Sequence, residues 1–554
     1  MPLSENYKAI LDNAVSAIHK RTFYAAYPEH PKAYGEDAPK RGQEEFNAYV
    51  GKNFDDLLQD KPAGFAGEEV SPYTMEPLNI KYPQFTVDDL IAKADKAFQT
   101  WKKVSVDDRA QVLVESLERI KHKFFTIAHA TQHSTGQSFI MSFQASGPHS
   151  NDRALEALAM GYEELKRFPQ EILWEKPMGK DSSIKLDKVY KAVPKGVALA
   201  IGCSTFPVWN TVPGVYASLV TGNSVIVKPH PKSVLPIAVV VAEIQKALKD
   251  AGYDPNTVQL AVDSTDQLIT KTLAEHPTVK LIDFTGSSTF GDYVESLTSQ
   301  GKVVFTEKAG VNSVILDSAV DLDATFQNLA FAVSLYSGQM CTAPQNFFIP
   351  ATGVKSGDKI VSYEEVVEKL KNSVKSLATH PKMGAGTLGA IQSDATWNRV
   401  QSSTSLGKVV LEPTTVVNPE FAKARLTSPA IIETDAASKA TFEKELFGPI
   451  VLVIKTKDTN ESIQLAKEMA AKHGAITCAA YTTDEKIARK IEEEMESVFA
   501  PVSLNLHGFI WVNQHAAFSD FHVTGGNPAG NASFSNPEYV NKRFVWVGHR
   551  KLVS

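Results

Sequence analysis

The sequence contains few cysteines and no motif with the spacing of a metal site. Its 554 residues include only Cys203, Cys341 and Cys478, too few and too scattered for a disulfide framework or a cysteine-based zinc site. Fourteen histidines are present, but none belongs to an HExxH motif or a comparable pattern, so we expect no bound metal. A reducing compartment suits such a chain, and we expect a cytoplasmic protein.

Long apolar runs and blocks of one charge are also missing. The most apolar region, residues 196–220, is interrupted by Pro207, Asn210 and Pro213, which favours a buried strand and helix over a membrane span. The 57 Lys and Arg residues nearly balance the 63 Asp and Glu residues, and no basic block could follow a phosphate backbone. The N-terminus has no apolar segment followed by a small-residue cleavage site. We therefore expect binding neither to nucleic acid nor to membranes.

The chain is long enough for more than one packed core, because single cores stop growing at roughly 250–300 residues. Residues 1–86, rich in Pro, Gly, Lys and Glu, are predicted to be an N-terminal extension that wraps a surface without a core of its own. Amphipathic helices follow from residue 87. Up to residue 306, the β-rich runs GVALAIG, NSVIVKP, TVQLAV, VKLIDF and KVVFT then alternate with helical segments, which predicts βαβ units and a parallel sheet.

A second series of strands and helices predicts a second α/β domain over residues 307–520. Its expected strands are SVILD, QNFFI, PIVLVIK, AITCAAY and FIWVN. Residues 181–194 (DSSIKLDKVYKAVP) and the tail FVWVGHRKLVS alternate polar and apolar side chains. These two segments either pair across a subunit boundary or form ordinary edge strands.

Two residues carry the chemistry that the sequence suggests. Cys341 in VSLYSGQMCT follows a helical run closed by Gly338, and a thiol on such a turn can be presented to a cleft and activated by backbone dipoles. Taken alone, a buried structural cysteine is the simpler interpretation. Glu307 in FTEKAG ends a predicted strand where the two domains should meet, and a semi-apolar cleft can raise a carboxylate pKa enough for general base catalysis.

In these two residues the chain resembles the aldehyde dehydrogenase family. The family motif places a glutamate thirty-four residues before a Gly-Gln-x-Cys nucleophile, and Glu307 stands thirty-four residues before Cys341. Further matches, in family order, are Phe206-Pro207, Lys228-Pro229, FTGSSTFG and ELFGP, and together they cover roughly residues 87–530. The resemblance implies two Rossmann-like parallel-sheet domains, one binding NAD(P) and one carrying Cys341. It also implies an oligomerisation β-arm that contains residues 181–194 and 521–554.

The phrases IVKPHP, EKAGVNSVI, SLYSGQMCTAPQN and DFHVTGGNPAGNASF look like the phenylacetic acid degradation proteins of the PaaN type. This likeness implies a semialdehyde substrate from aromatic catabolism, in some relatives linked to coenzyme A. The implied reaction passes through a thiohemiacetal and a thioester on Cys341, and water activated by Glu307 then releases the acid.

The cofactor contacts are expected along the edge of the first sheet. FTGSSTFG opens a predicted helix, where the backbone amides of Gly286 and Ser287 can meet the pyrophosphate. The family resemblance further implies that Lys228 reaches the adenosine ribose, that Glu445 positions the nicotinamide ribose and that Phe447 packs against the ring.

Two departures from the family pattern bear on specificity and rate. Pro231, followed by Lys232, stands where the family often has a glutamate that disfavours a 2′-phosphate, so we expect NADP or NAD as cofactor, with NADP slightly favoured. Thr205 replaces the asparagine of the family's oxyanion hole, and a hydroxyl is a shorter donor than an amide.

Three activities therefore stay open. The first is NAD(P)-dependent oxidation of an aldehyde to an acid, and the second is a CoA-acylating aldehyde dehydrogenase, disfavoured because the base Glu307 is present. The third, raised by Thr205, is a catalytically weak scaffold or partner subunit with the same fold. The resemblance implies a homodimer or tetramer in each case.

Overall fold

The computed structural model describes residues 3–510 and 516–553. Its α-helices are α1 (Glu5–Lys20), α2 (Ala38–Tyr49), α3 (Val87–Trp101), α4 (Val106–Lys121), α5 (Phe124–Thr135), α6 (Phe139–Ser146), α7 (Pro148–Lys166), α8 (Val212–Val220), α9 (Leu235–Asp250), α10 (Thr270–Glu275), α11 (Ser288–Ser296), α12 (Leu322–Ser334), α13 (Tyr363–Ala378), α14 (Gly384–Leu388), α15 (Asp394–Ser402), α16 (Lys439–Phe442), α17 (Thr459–His473), α18 (Glu485–Glu496) and α19 (Pro537–Asn541).

The strands belong to two large and three small sheets. They are β1 (Gly64–Ala66), β2 (Tyr82–Gln84), β3 (Glu171–Pro177), β4 (Ser183–Pro194), β5 (Val197–Ile201), β6 (Ser224–Lys228), β7 (Val258–Leu260), β8 (Val279–Gly286), β9 (Val303–Lys308), β10 (Asn312–Leu316), β11 (Ser318–Ala319), β12 (Pro344–Pro350), β13 (Val354–Ser356), β14 (Lys359–Val361), β15 (Lys408–Leu411), β16 (Ala430–Asp435), β17 (Ile450–Thr456), β18 (Cys478–Tyr481), β19 (Val502–Leu504) and β20 (Phe544–Leu552).

The first large sheet is parallel throughout, with strand order β7-β6-β5-β8-β9, and it contains the five predicted strands. Its strands are almost wholly buried because helices cover both faces, with α3 on one side and α8 and α9 on the other. The strand order reverses at β5, so the carboxyl ends of β5, β6, β8 and β9 form a crevice of the kind that binds nucleotides. Glu307 lies in β9, so the predicted domain boundary at 306/307 falls inside a strand.

The second large sheet has strand order β15-β16-β17-β12-β10-β18-β19 and is parallel except for β15. The helices α12 and α13 pack on one face, and α17 and α18 pack on the other. The predicted α/β fold with two parallel-sheet domains is confirmed. The predicted strand FIWVN (509–513) lies largely outside the described residues; its first two residues are not in a strand, and β19 is the edge strand.

The two segments of alternating pattern pair with each other within the chain. β20 and β4 are antiparallel from Phe544 opposite Pro194 to Leu552 opposite Leu186, and β3 pairs with the other edge of β4. This three-stranded β-arm is largely exposed. Residues 521–543, predicted to belong to the arm, instead run past β9 and end in α19 against α7.

The N-terminal extension contributes two helices that the sequence analysis did not identify. Leu11 and Ala14 of α1 are fully buried, and α1 packs against α7 while α2 packs against α5. Within the part of the chain that the structure covers, no helix combines the length and apolarity needed to cross a membrane.

A buried ion pair fixes the C-terminal segment to the first sheet. The Arg543 guanidinium contacts the Asp283 carboxylate of β8 at 2.5 and 2.9 Å, with side chains 0% and 6% exposed. Tyr539 of α19 donates a third hydrogen bond to Asp283, at 2.6 Å. The Asp283 carboxylate and the Arg543 guanidinium therefore both have hydrogen-bond partners within the protein.

Replacing Arg543 by alanine is expected to destabilise the protein by about 3–5 kcal/mol, because the Asp283 carboxylate would stay buried without its partner. Thermal denaturation of the purified variant measures the loss. The neighbouring exposed pair of Lys542 and Glu538, at 2.7 Å, supplies the control. Lys542→Ala should cost at most about 1 kcal/mol, and an equal effect of both substitutions would contradict the assignment.

Candidate active site

Cys341 follows a turn with an unusual backbone. The helix α12 ends at Ser334, and Tyr336, Ser337 and Gly338 all have positive φ, at 51°, 51° and 61°. Only a glycine fits at 338, since a Cβ there would lie 2.4 Å from the carbonyl oxygen of Gly448. Consecutive left-handed residues of this kind are held by surrounding contacts and are typical of functional sites.

Asn312, at the start of β10, holds the nucleophile loop in place. Its Nδ2 donates to the carbonyl oxygens of Cys341 and Ala343, at 2.8 and 3.1 Å. Its Oδ1 accepts hydrogen bonds from the amides of Ile476 and Thr477. One buried side chain therefore ties the loop to the segment before β18.

The thiol, a carboxylate and an imidazole meet at the interface between the two sheets. Cys341 Sγ lies 3.9 Å from Glu307 Oε1 and 3.9 Å from His522 Nε2. His522 Nε2 lies 3.5 Å from the same Glu307 oxygen. The predicted pair is therefore adjacent in space, and His522 is a third member that the sequence analysis quoted within a motif without assigning it a role.

The surroundings of Glu307 differ from the predicted semi-apolar cleft. Burial raises the pKa of Glu307, but the contact with His522 and the charge of Arg153 outweigh burial, so the pKa lies below its ordinary value. The expectation of a raised pKa was therefore wrong, because two basic side chains face the carboxylate. Glu307 is charged at neutral pH.

The thiol is not activated by its turn alone. Burial, and then the negative charge of Glu307, raise the pKa of Cys341 well above its ordinary value. Backbone hydrogen bonding at Cys341 lowers the pKa, in the direction expected of the turn, but it is outweighed because a desolvated thiolate beside a carboxylate is disfavoured. Cys341 needs a neighbouring proton acceptor when it reacts.

Aromatic and cationic side chains fix the imidazole. The His522 ring packs edge-on against Trp209, with centroids 4.8 Å apart. The Arg153 guanidinium covers the Trp209 ring at 4.3 Å and donates to Ser535 Oγ at 3.1 Å. The imidazole thus has a defined position beside the thiol.

Sulfur, nitrogen and carboxylate oxygen are also the ligand types of zinc, and the three donor atoms lie within 4.8 Å of one another. A metal ion there would occupy the thiol and the carboxylate together. We assign the cluster to nucleophilic and proton-transfer chemistry, for which these groups must stay free.

A cavity of about 580 Å³, the polar cavity, opens along the carboxyl ends of β5, β6 and β8. Nine of the ten predicted site residues line it, and Lys232 is not among its described lining residues. The nine are Thr205, Lys228, Pro231, Gly286, Ser287, Glu307, Cys341, Glu445 and Phe447. Motifs far apart in the sequence therefore converge on one cavity.

The lining of the polar cavity suits a dinucleotide. Ser287 is the N-cap of α11, directly after Gly286 at the end of β8. A Cβ at Gly286 would lie 2.7 Å from the tip of the Phe284 ring, so a larger residue there would have to displace that ring. Thr285 Oγ1 is buried without a hydrogen-bond partner. A helix N-terminus with spare donors is the environment that a pyrophosphate needs.

Glu445 and Phe447 lie at the other end of the polar cavity. Desolvation by the surrounding protein raises the pKa of Glu445 to about 7, although part of its side chain is exposed to solvent, and the charge of Arg399 opposes the shift. Arg399 also donates to the backbone oxygen of Phe447, at 2.6 Å. Both predicted residues are thus in place beside the cavity.

Lys228 does not provide a free positive charge for a 2′-phosphate. Its ammonium group is buried, lies 2.6 Å from Asp263 Oδ1 and donates to the carbonyl oxygen of Pro229. The charge of Lys232 lowers the pKa of the Asp394 carboxyl, and Lys232 is not among the described residues that line the polar cavity. Pro231 does line the cavity and carries no charge that would repel a 2′-phosphate. The cofactor assignment is NAD or NADP, and the slight preference for NADP stays a prediction.

A second cavity of about 310 Å³, the apolar cavity, reaches Cys341 from the opposite side. Most of its wall is apolar, formed by Ile140, Met141, Trp209, Phe331, Leu335 and Met340. Phe206, Asn210 and Cys341 line both cavities. The thiol therefore lies where the two cavities meet.

The predicted oxyanion residue faces another thiol. Burial raises the pKa of Cys203, and hydrogen bonds from the Phe206 and Thr205 backbone amides and from the Thr205 side chain oppose the shift. Asn210 Nδ2 makes a 3.7 Å contact with the same Cys203 sulfur, while its Oδ1 is buried without a partner. Cys478 is buried in β18, and burial raises its pKa to about 12.

Comparison with known proteins agrees with this geometry. The family model described as the aldehyde dehydrogenase family matches residues 68–540. A crystal structure of an NAD-dependent aldehyde dehydrogenase from Burkholderia multivorans is 42% identical, covers 99% of this chain and 98% of its own, and superposes with a TM-score of 0.96.

Two curated relatives are more distant. 1-Pyrroline-5-carboxylate dehydrogenase 1 of Halalkalibacterium halodurans is 27% identical over 403 residues, which is 70% of this chain and 72% of the relative. Aldehyde dehydrogenase [NAD(P)+] 2 of Saccharomyces cerevisiae is 25% identical over 503 residues, 87% of this chain and 91% of the relative.

Proposed function

The chain belongs to the aldehyde dehydrogenase family and is an NAD(P)-dependent enzyme, and from this premise we propose that it oxidises a large apolar semialdehyde to the carboxylic acid. The single observation that carries the substrate proposal is the wall of the apolar cavity that ends at Cys341. A semialdehyde from phenylacetate-type aromatic catabolism, carried as a coenzyme A thioester, has the required character, because its distant carboxyl group is masked.

The charge of the apolar cavity distinguishes this proposal from the activity named for several relatives. No lysine or arginine is among the described residues that line it, and none occurs in the sequence of residues 511–515. The name 1-pyrroline-5-carboxylate dehydrogenase indicates a substrate with a free carboxylate. His149 and His522 also line the cavity, but they already contact Glu29 and Glu307, at 2.9 and 3.5 Å. A substrate carboxylate would have to compete with these contacts, and burying one without a partner is costly, so the cavity supports an uncharged acyl chain instead.

A substrate series tests the proposal. We expect kcat/KM for a CoA-linked medium-chain semialdehyde and for an uncharged aromatic aldehyde to exceed that for glutamate semialdehyde by at least about 10²-fold, the effect of one uncompensated buried charge of roughly 3 kcal/mol. Nicotinamide reduction at 340 nm, with NAD and NADP in separate assays, measures these rates. Preferred turnover of glutamate semialdehyde would contradict the proposal.

The mechanism follows from the position of Cys341 between the two cavities. The thiolate adds to the aldehyde carbon, and the resulting alkoxide re-forms a carbonyl as hydride leaves, which yields a thioester. The bound nicotinamide supplies the hydride acceptor. Glu307, charged and 3.9 Å from the sulfur, takes a proton from the water that releases the acid.

The Glu307 carboxylate favours hydrolysis of the thioester over the two alternative functions, a CoA-acylating dehydrogenase and a catalytically weak scaffold. In a CoA-acylating enzyme the thiol of coenzyme A, and not a water activated by Glu307, would attack the thioester. A scaffold would not need Asn312, the strained turn and Glu307 to hold Cys341 between two cavities. Release of free acid in the absence of coenzyme A would support hydrolysis directly.

We assign the missing oxyanion donor to Asn210 in preference to Thr205. Both side chains contact Cys203, but Asn210 lines both cavities at the Cys341 thiol, whereas Thr205 lines only the polar cavity. Loss of one oxyanion donor costs on the order of 10²–10³ in turnover. Asn210→Ala should therefore lower kcat by about 10²-fold, and Thr205→Ala by less than about tenfold.

Steady-state kinetics of both variants test this assignment, with cofactor affinity as the control for folding. The assignment requires a larger loss of kcat in Asn210→Ala than in Thr205→Ala. A larger loss of kcat in Thr205→Ala than in Asn210→Ala would restore the assignment made from the sequence.

The exposed β-arm supports assembly into a homodimer or tetramer. Its large apolar side chains are unusually exposed, including Leu173 at 55%, Val545 at 51% and Leu552 at 67%. Exposed apolar strands of this kind usually lie in interfaces. A monomer in light scattering at micromolar concentration would contradict the proposed assembly.

A further inference from the structure

We propose that His522 is the group that takes the thiol proton from Cys341, while Glu307 is reserved for the water that releases the acid. This inference deepens the proposed function and rests on Cys341 as the nucleophile. The observation that carries it is the position of His522 Nε2, which is 3.9 Å from the Cys341 sulfur and 3.5 Å from the Glu307 carboxylate. Contacts between catalytic groups commonly tighten when substrate binds.

The geometry gives His522 an advantage over Glu307 as the first acceptor. Both lie 3.9 Å from the sulfur. If Glu307 took the thiol proton, it would have to release it before it could accept one from water. If His522 takes it, the imidazolium lies between the new thiolate and the charged carboxylate, so both anions are paired with one cation.

The proton and electron changes balance over the cycle. In the first half, the Cys341 S–H bond breaks, its proton passes to His522 and the sulfur electron pair forms the bond to the aldehyde carbon. A nicotinamide held in the polar cavity would accept the hydride, with its electron pair, from that carbon, which would leave the thioester on Cys341. In the second half, Glu307 takes a proton from water, the water oxygen bonds to the carbonyl carbon, and the departing sulfur recovers the proton from His522. Glu307 then passes its proton to solvent, so that all three groups return to their starting protonation states.

Other charged groups also face the imidazole. Arg153 covers the Trp209 ring at 4.3 Å, and Trp209 packs against the imidazole, whereas Glu307 lies 3.5 Å from His522 Nε2. His149 lines the apolar cavity and pairs with Glu29 at 2.9 Å. On the other side of His522, Glu29 and Asp520 line a cavity of about 620 Å³. The carboxylate in direct contact with the imidazole is Glu307.

Alkylation of Cys341 by iodoacetamide tests the proton transfer without substrate or cofactor. The rate is followed from pH 5.5 to 9.5 by intact mass in the wild type and in His522→Gln. We expect His522→Gln to slow alkylation at pH 7 by about 10²-fold, the usual contribution of a general base, and to shift the profile to higher pH. At high pH, where hydroxide removes the proton, the two rates should converge.

Glu307→Gln separates the two candidate acceptors because the expected shifts have opposite signs. The Glu307 charge raises the pKa of Cys341, so its removal should move the alkylation profile to lower pH. If Glu307 were the thiol base, the same variant would move the profile to higher pH. His129→Gln is the matched control, since His129 also packs against an aromatic ring, Phe139 at 4.6 Å, and is not among the residues that line either cavity.

Each outcome leads to a different conclusion. An unchanged profile in His522→Gln, with normal alkylation of Cys341, would overturn the role of His522 and leave the proposed function intact. Failure of Cys341 to react in any variant at any pH would contradict the nucleophile itself. An equal loss at every pH would indicate a structural role for His522 and would also overturn the proposal.

Discussion

Replacement of Cys341 by alanine is expected to abolish aldehyde oxidation, lowering kcat by at least about 10³-fold, because no thioester can form without the sulfur. Binding of NAD or NADP should persist, since nearly all of the polar cavity's wall is formed by residues other than Cys341, on the strands of the first sheet, on the segments that follow them and around Glu445 and Phe447. Nicotinamide reduction at 340 nm measures the loss, and quenching of protein fluorescence by the cofactor measures binding.

Cys478→Ala is the control for this experiment. Cys478 is a buried cysteine of β18 away from both cavities, so its replacement should leave kcat nearly unchanged. Substantial turnover in Cys341→Ala would contradict the assignment and direct attention to Cys203, the other thiol that lines the polar cavity.

The second large effect is expected when Glu307 is replaced by glutamine. The amide cannot take a proton from water, so the thioester should accumulate and kcat should fall by about 10²–10⁴-fold. Hydride transfer precedes this step, and stopped-flow measurements should therefore show a burst of about one reduced nicotinamide per active site. The mass of the intact protein should increase by that of the acyl group.

Glu443→Gln provides a matched control, because Glu443 is a surface carboxylate paired with Lys472 at 2.9 Å. It should show wild-type turnover. Loss of the burst in Glu307→Gln would place Glu307 before hydride transfer. Rapid turnover of that variant on addition of coenzyme A, with an acyl-CoA product, would favour the CoA-acylating alternative.

The fold was largely accessible from the sequence because its strands are short, apolar and regularly separated by helices. The five strands from GVALAIG to KVVFT form the first sheet as expected. The helix α1 was missed because residues 1–86 were judged by their overall Pro, Gly, Lys and Glu content, although residues 5–20 contain no Pro or Gly. Its apolar face becomes decisive only when it packs against α7.

The residues of the candidate active site could be predicted from the sequence only in part. Glu307 and Cys341 were identifiable because they stand in motifs of fixed spacing. His522 and Asn210 carry no such signal, since a single histidine or asparagine in a sequence is usually a structural residue. Their positions beside the thiol depend on a segment near the C-terminus and on the turn after β5, which meet only in the folded chain.

The sequence by itself determined the two parallel-sheet domains and the nucleophile and base candidates, because strand periodicity and motif spacing are local properties. Through the family resemblance it also gave nine of the residues that line the polar cavity. Only the tertiary structure decided the electrostatics of the site. The pKa values of Cys341 and Glu307 both departed from expectation, since burial and the charges of His522 and Arg153 arise from residues distant in sequence. Coulombic and desolvation effects depend on distance in space, which the order of residues does not specify.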